Sequence, residues 1–299
     1  MQKIIEKFLT YLLTQKRVSA NTFAAYKNDL DQFVGYLQEQ KISQDALSHD
    51  ILKQFVQQLS AGPAKARTLA RKISTLKIFF SYAHEQFGIE NFSEELIFPK
   101  LDKRLPSALS EEEVEYLLAA ADLDTSDTGF RNKTMLYLLY VSGLRISELV
   151  NLSLTEIHFD MGCISVTGKG GKGRQIPLPQ PMLELLRTYI EHFHKKLIAD
   201  KKHATDILFP TFYGQKMKPI SRQSFWMILK AIWKQTGIDR PLSPHVLRHS
   251  FATHMLKRGA DLRSLQILLG HENIATVEIY THVETSYLRE MYDKKHPRS

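Results

Sequence analysis

Six residues in the second half of the chain have the types needed for chemistry at a phosphodiester. They are Arg145, Lys169, His245, Arg248, His271 and Tyr280, in that order. They lie in five dense motifs, SGLRISEL, TGKGGKGR, SPHVLRHSFATH, LLGHENI and EIYTH. Two guanidiniums, two imidazoles and an ammonium can surround a phosphate. A guanidinium suits the task because its planar fork donates two parallel hydrogen bonds and keeps its charge. A phenol can attack the phosphorus, but with a pKa of ~10 it is a poor nucleophile at neutral pH until cations and a base assist it.

Taken singly, each motif has a plainer reading. Glu148 lies three residues after Arg145, on the same helical face, where it could hold the guanidinium or form an ordinary surface ion pair. Thr167–Arg174 is a glycine-rich turn with three cations, either a lysine delivered into a DNA groove or a soluble hairpin tip. It is not a nucleotide-binding P-loop, since no Ser or Thr follows the lysine and a strand, not a helix, comes next. His245 and Arg248 are spaced to share one arc of a helix, with Leu247, Phe251 and Met255 on another. Near a helix N-terminus such a pair gains from the positive end of the dipole when an anion is near. His249 and His254 read as supporting or packing histidines, and a tyrosine such as Tyr280 packs a core unless its company says otherwise. His245 and His249 have zincin spacing without the zincin glutamate, and Arg248 between them would repel a cation, so no metal is expected.

The elements that carry these residues follow from periodicity. Residues 1–98 read as helices. Ile4, Ile5, Phe8, Leu12 and Leu13 form one apolar face, and Ser19 caps a second helix. A third helix carries Ile51, Phe55, Val56 and Leu59 and stops at Ser60-Ala61-Gly62-Pro63. A fourth, from Ala64 to about Gln86, bears Lys65, Arg67, Arg71, Lys72 and Lys77, with no acid before Glu85. That basic stripe is either a solvated face or a contact to a DNA backbone. Residues 99–108, with two prolines and no periodicity, read as a linker. Ser110 with Glu113 is a capping box that opens residues 109–299. There, short strands at Glu156–Asp160, Cys163–Thr167 and Arg174–Leu178 interrupt a helical pattern. The fold class expected is mainly α with a small antiparallel sheet, an α+β chain in two domains.

Composition sets outer limits. The chain has 299 residues, 43% of them hydrophobic, enough for a core in each domain. No apolar run reaches membrane-spanning length. Its one cysteine, Cys163, excludes an internal disulfide and a cysteine-based zinc site, and a reducing cytoplasm is the expectation. The net charge of +8 fits a polyanionic partner without proving one.

All six residues together, in order, resemble the tyrosine recombinases, and within that family the Xer group. The resemblance covers nearly the whole chain. It implies a SAM-like helical core-binding domain and a catalytic domain, forming a C-shaped clamp on double-stranded DNA. It implies that Tyr280 attacks the scissile phosphate and forms a 3′-phosphotyrosyl link. Arg145 and Arg248 would stabilise the non-bridging oxygens, and Lys169 would protonate the departing 5′ oxygen. His271 would donate to the phosphate. His245 would act as base toward Tyr280 or as a further donor, and Lys172 and Arg174 would be auxiliary DNA contacts. No cofactor is implied, because the backbone energy is retained in the covalent link. The resemblance further implies a tetramer on a dif-like site, exchange through a Holliday junction, a XerC-type partner and an FtsK-type translocase. Tyr287–Ser299 would dock into a neighbouring protomer through Leu288, Met291 and Tyr292. An integron- or transposon-type integrase, a type IB topoisomerase and a non-catalytic DNA-binding regulator are the competing readings.

Overall fold

Caps and turns set the boundaries of the helices in the first hundred residues. Ser19 stands at the head of a helix and its hydroxyl accepts from the Thr22 N–H, which satisfies one of the donors a helix start leaves open. The computed structural model describes residues 1–61, 66–99, 108–168, 173–198, 206–214, 216–270, 292 and 294–296. The chain divides into two units, Met1–Arg104 and Leu105–Ser299.

The first unit contains α1 (Gln2–Thr14), α2 (Ala20–Glu39), α3 (His49–Ala61) and α4 (Ala66–Phe87). Phe8, Phe33, Phe55, Phe79 and Phe80 fill its centre, the last two on successive positions of α4. Leu13, expected on the apolar face of α1, is 51% exposed, because Ile5, Phe8 and Leu12 already define the buried stripe. A polar knot joins α2 to α4. The Asp29 carboxylate is buried and accepts from Arg71 and, at 2.8 Å, from the Thr75 hydroxyl. Lys72 is buried beside it and donates to Gln32. Burial pushes the Lys72 ammonium pKa down, with Asp29 opposing that effect. The Gly62-Pro63 stop signal lies outside the described residues.

The second unit opens at the capping box read from the sequence. The Ser110 hydroxyl accepts from the Glu113 N–H at 3.1 Å, and the Glu113 carboxylate accepts from the Ser110 N–H at 2.7 Å. Its helices are α5 (Glu111–Asp122), α6 (Asp127–Ser142), α7 (Ile146–Asn151), α8 (Gln180–Thr188), α9 (Lys195–Ile198), α10 (Arg222–Gln235), α11 (Pro244–Lys257) and α12 (Leu262–Leu269). A π-helical turn, Tyr189–His194, joins α8 to α9. Helix α6 is the centre, buried on nearly every side, with α5, α8 and α11 packed around it. Its stretch Met135–Val141 is apolar or aromatic on every side, and such a stretch belongs inside.

Three antiparallel strands lie in order β1 (Ile157–His158), β2 (Cys163–Thr167), β3 (Gly173–Pro177). The register pairs Ile164 with Ile176 and Val166 with Arg174. A second hairpin, β4 (Pro210–Tyr213) with β5 (Lys216–Pro219), is absent from the sequence reading. Its strands are short and each carries a proline, so neither reads as a ladder. The expected class is what the structure has: mostly helix, with small antiparallel sheets.

Tyr292, expected to anchor in a neighbouring protomer, lies inside its own chain's core. It is fully buried, donates its hydroxyl to the Val141 carbonyl and stacks on His296 at 4.7 Å. Leu288 and Met291 lie outside the described residues. Among the described residues no helix is long and apolar enough to cross a membrane.

Gly143 ends α6 in the left-handed region, with φ +60°, and a Cβ there would sit 2.4 Å from the Phe251 ring. Both the backbone and the space demand glycine. Gly143→Ala is expected to cost about 2–4 kcal/mol of unfolding free energy, the sum of left-handed strain and overpacking. Urea denaturation followed by circular dichroism checks it.

Candidate active site

Three arginines from three different elements converge on one carboxylate. Arg145 precedes α7 and is its N-cap residue. Glu148, one turn on, accepts from the Arg145 backbone N–H at 2.7 Å and from its guanidinium at 3.0 Å. Arg174, on β3, donates from both terminal nitrogens to the two Glu148 oxygens, each at 2.9 Å. That is the bidentate fork that a planar guanidinium makes best. Arg248, on α11, brings a third guanidinium to within 4.0 Å of the same carboxylate.

The other half of the frame is the C-terminus of α12. The last carbonyls of a helix have no partner within it and carry the negative end of its dipole. Here each of three successive carbonyls meets a different arginine. Leu268 O accepts from Arg174 Nε at 2.7 Å, Leu269 O from Arg248 at 2.5 Å, and Gly270 O from Arg145 at 2.8 Å. Gly270 makes this possible by turning the chain at φ +63°. Arg248 also donates to the Gly143 carbonyl at 2.6 Å, so the C-terminal ends of α6 and α12 share one side chain.

The charges are unequally placed. Burial by itself would push the Glu148 carboxyl up, but the hydrogen bonds from Arg174 and Arg145 outweigh it and hold the pKa at about 2. Glu148 is therefore ionised at any working pH. Burial pushes Arg248 down to about 10, helped by the neighbouring Arg145 and Arg174 charges and opposed by Glu148, so it remains a cation at neutral pH. One carboxylate against three guanidiniums leaves a concentrated positive excess. Among the described residues, protein acceptors take two of the five N–H groups of Arg145 and two of those of Arg248. Donors remain on both for an outside anion. Arg145 is the more open, with its side chain about a third exposed.

Residues 107–286 match the model of the phage integrase family, and residues 5–86 match the N-terminal SAM-like domain of phage integrases. The chain is 40% identical to tyrosine recombinase XerD of Staphylococcus aureus over 301 residues, spanning all of both proteins. Identity to the XerD of Staphylococcus haemolyticus is 39% over the same span. The chain belongs to the phage integrase family of tyrosine recombinases. Among solved structures, XerH bound to difH in a pre-cleavage complex superposes with a TM-score of 0.68 at 26% identity, covering 95% of this chain and 82% of that one. A lambda integrase dimer bound to a core site shares the fold, with a TM-score of 0.68 at 18% identity, over 97% of this chain and 95% of that one. As a XerD-like tyrosine recombinase the chain is a site-specific recombinase, and the regulator reading falls away.

Of the recombinase residues picked out from sequence, the structure brings Arg145, Arg248 and Glu148 together. His245 lies one turn before Arg248 on α11, exposed, while Arg248 itself is buried. The two are three residues apart on α11, hence on one helical face, and differ in depth: His245 lies toward solvent and Arg248 toward Glu148 and the end of α12. His254 is a packing histidine. Its Nε2 faces the Leu109 carbonyl at 2.8 Å, so its Nδ1 accepts from the Tyr140 hydroxyl at 2.9 Å. Lys169, Lys172, His271, Tyr280 and Lys65 lie outside the described residues.

The residues read as DNA contacts divide sharply. Arg67 is exposed. Arg71 and Lys72 turn toward Asp29, and Lys77 donates to the Glu94 carbonyl at 2.9 Å. Arg174, expected to reach DNA, has a side chain only 10% exposed, and all three of its nitrogens bond within the protein. A charge pattern on one strand or helix does not say which cations have buried partners, and the difference arises there. The signal for Arg174 is in the strand period. Arg174 and Ile176 are two apart, hence on one face, and a charge on that inward face calls for a buried acid.

Two expectations follow. Glu148 has a depressed pKa in the folded state, so its stabilisation is complete above the ordinary value near 4.5 and is lost as pH falls toward about 2. Wild type should exceed Glu148→Gln in stability by on the order of 2–3 kcal/mol at pH 7, with the gap closing through that window; urea titrations at stepped pH measure it. On α4, Arg67→Ala should weaken duplex DNA binding with little change in stability. Lys72→Ala should do the reverse. Fluorescence anisotropy and thermal melts separate the two.

Proposed function

We propose that this XerD-like recombinase cuts and rejoins DNA through a 3′-phosphotyrosyl intermediate, with Tyr280 as nucleophile. The observation that carries the reading is the Arg145–Arg248 pair, held by Glu148 and by the end of α12 with donors to spare. The chain leaves α12 at Gly270 and reaches His271 at the next residue and Tyr280 nine later. The site that can bind a phosphate thus stands where the nucleophile's segment begins.

The chemistry is a transesterification. The Tyr280 phenol oxygen bonds to phosphorus and the bond to the 5′ oxygen breaks. The phenol proton passes to a base, for which His245 is the candidate, and Lys169 protonates the departing 5′ oxygen. Arg145 and Arg248 meet the growing charge on the non-bridging oxygens, and His271 donates to the same phosphate. The 5′ hydroxyl of the partner strand reverses the reaction. One ester replaces another, so no cofactor is required. Two such exchanges pass through a Holliday junction in a tetramer.

The biological site is proposed to be dif-like, with a XerC-type partner and an FtsK-type translocase, and the role to be resolution of chromosome dimers. Identity to XerD proteins along the whole chain supports this, as does likeness to XerH, whose structure was solved bound to difH. For the grip on the DNA backbone, the proposed contacts are the exposed Arg67 on α4 and Lys172 in the hairpin.

The test is covalent trapping on a nicked duplex bearing a dif-like site, with and without a XerC-type partner. An SDS-resistant adduct is expected from wild type and none from Tyr280→Phe, with DNA binding preserved. Lys169→Ala should slow cleavage by about 10²-fold or more while changing affinity little. An adduct from Tyr280→Phe would refute the nucleophile assignment.

A further inference from the structure

We infer that Arg174 is a positioning residue for cleavage, acting through Glu148 and the end of α12. This rests on the proposed roles of Arg145 and Arg248. Arg174 is the residue of the cluster whose fork is fully committed inward. Both terminal nitrogens grip Glu148 at 2.9 Å, and Nε holds the Leu268 carbonyl at 2.7 Å. Glu148 in turn holds Arg145 at 3.0 Å by its guanidinium and at 2.7 Å by its backbone N–H. Remove Arg174 and Glu148 keeps Arg145 as its direct partner and Arg248 at 4.0 Å. The carboxylate is then free to swing toward either of the groups that should face the phosphate.

The position of Arg174 in the chain gives it a second lever. It stands on β3 one residue after Gly173, which pairs with Thr167 at the root of the hairpin that carries Lys169. Through Leu268 it also grips the turn that leads into His271. A single side chain thus ties the root of the lysine hairpin to the origin of the nucleophile's segment. The fit is close, since a Cβ on Gly270 would lie 3.1 Å from the Arg174 guanidinium. A group that aligns others without touching the substrate controls rate through geometry, and displacement by about 1 Å can cost on the order of 10²-fold.

The test compares Arg174→Ala and Arg174→Lys with Arg145→Ala in single-turnover cleavage of the nicked dif-like duplex at saturating protein, with affinity and thermal midpoint measured on each. Positioning predicts a loss of about 10²-fold in cleavage rate for Arg174→Ala, with affinity kept within about threefold. Arg174→Lys should stay impaired, because an ammonium keeps the charge but cannot form the fork. The Ala variant should also gain an acid limb in its pH–rate profile, because only Arg145 and Arg248 would then hold the Glu148 proton off. Combining Arg174→Ala with Glu148→Gln should cost much less than the two losses multiplied, since they break one unit.

Arg174→Ala that weakens binding, with activity restored by Arg174→Lys, would make it a DNA contact and overturn the inference. So would losses that multiply in the double variant. If Arg145→Ala cleaves poorly and Arg174→Ala cleaves normally, positioning fails and the site stands. If Arg145→Ala cleaves at the wild-type rate, the site reading fails and the inference falls with it.

Discussion

The Glu148 carboxylate is the constraint on which the catalytic unit depends. Three like charges do not gather unaided, and in a partly buried site their repulsion is weakly screened. One acid at the centre, held at about pKa 2, makes the gathering stable. It does so without neutralising the group, which keeps an excess of positive charge. Had each arginine its own acid, the cluster would be a structural ion-pair network with nothing left to attract an anion.

A carboxylate alone would not set direction. The three carbonyls at the end of α12 do, because each accepts from a different arginine at a fixed step along the chain. Neutral acceptors orient a guanidinium without cancelling its charge. The helix end therefore behaves as a jig: it consumes one N–H group per arginine and leaves the cation intact. Its own orphan carbonyls are satisfied in the same act.

Much of this is legible in the chain itself. Ser19, Ser110 with Glu113, Ser243 and Gly270 all cap where local rules place them, because a cap depends on residues within one turn. The three strands are legible from their alternation, and Arg145, Glu148 and Arg248 from their motifs. What stays hidden depends on partners far apart in sequence. Arg71 and Lys72 look like a basic face until Asp29, more than forty residues earlier, is seen beneath them. Arg174 looks like one more cation of a glycine-rich turn until Glu148 and Leu268 appear on either side. The β4–β5 hairpin is hidden by its prolines. Family membership brings what neither spacing nor charge can supply: that the chain is a site-specific recombinase.

The register of β2 and β3 has a consequence for how such a protein can change. Val166 faces Arg174, and Thr167 faces Gly173, so the ladder is closed before residues 168–172 begin. Residues can be added or removed between Thr167 and Gly173 without shifting Arg174 along its strand. A single insertion inside β3, by contrast, would turn Arg174 to the opposite face and empty the fork around Glu148. The register thus separates what can vary from what cannot: changes in length between Thr167 and Gly173 leave the arginine frame where it is, and changes within β3 do not.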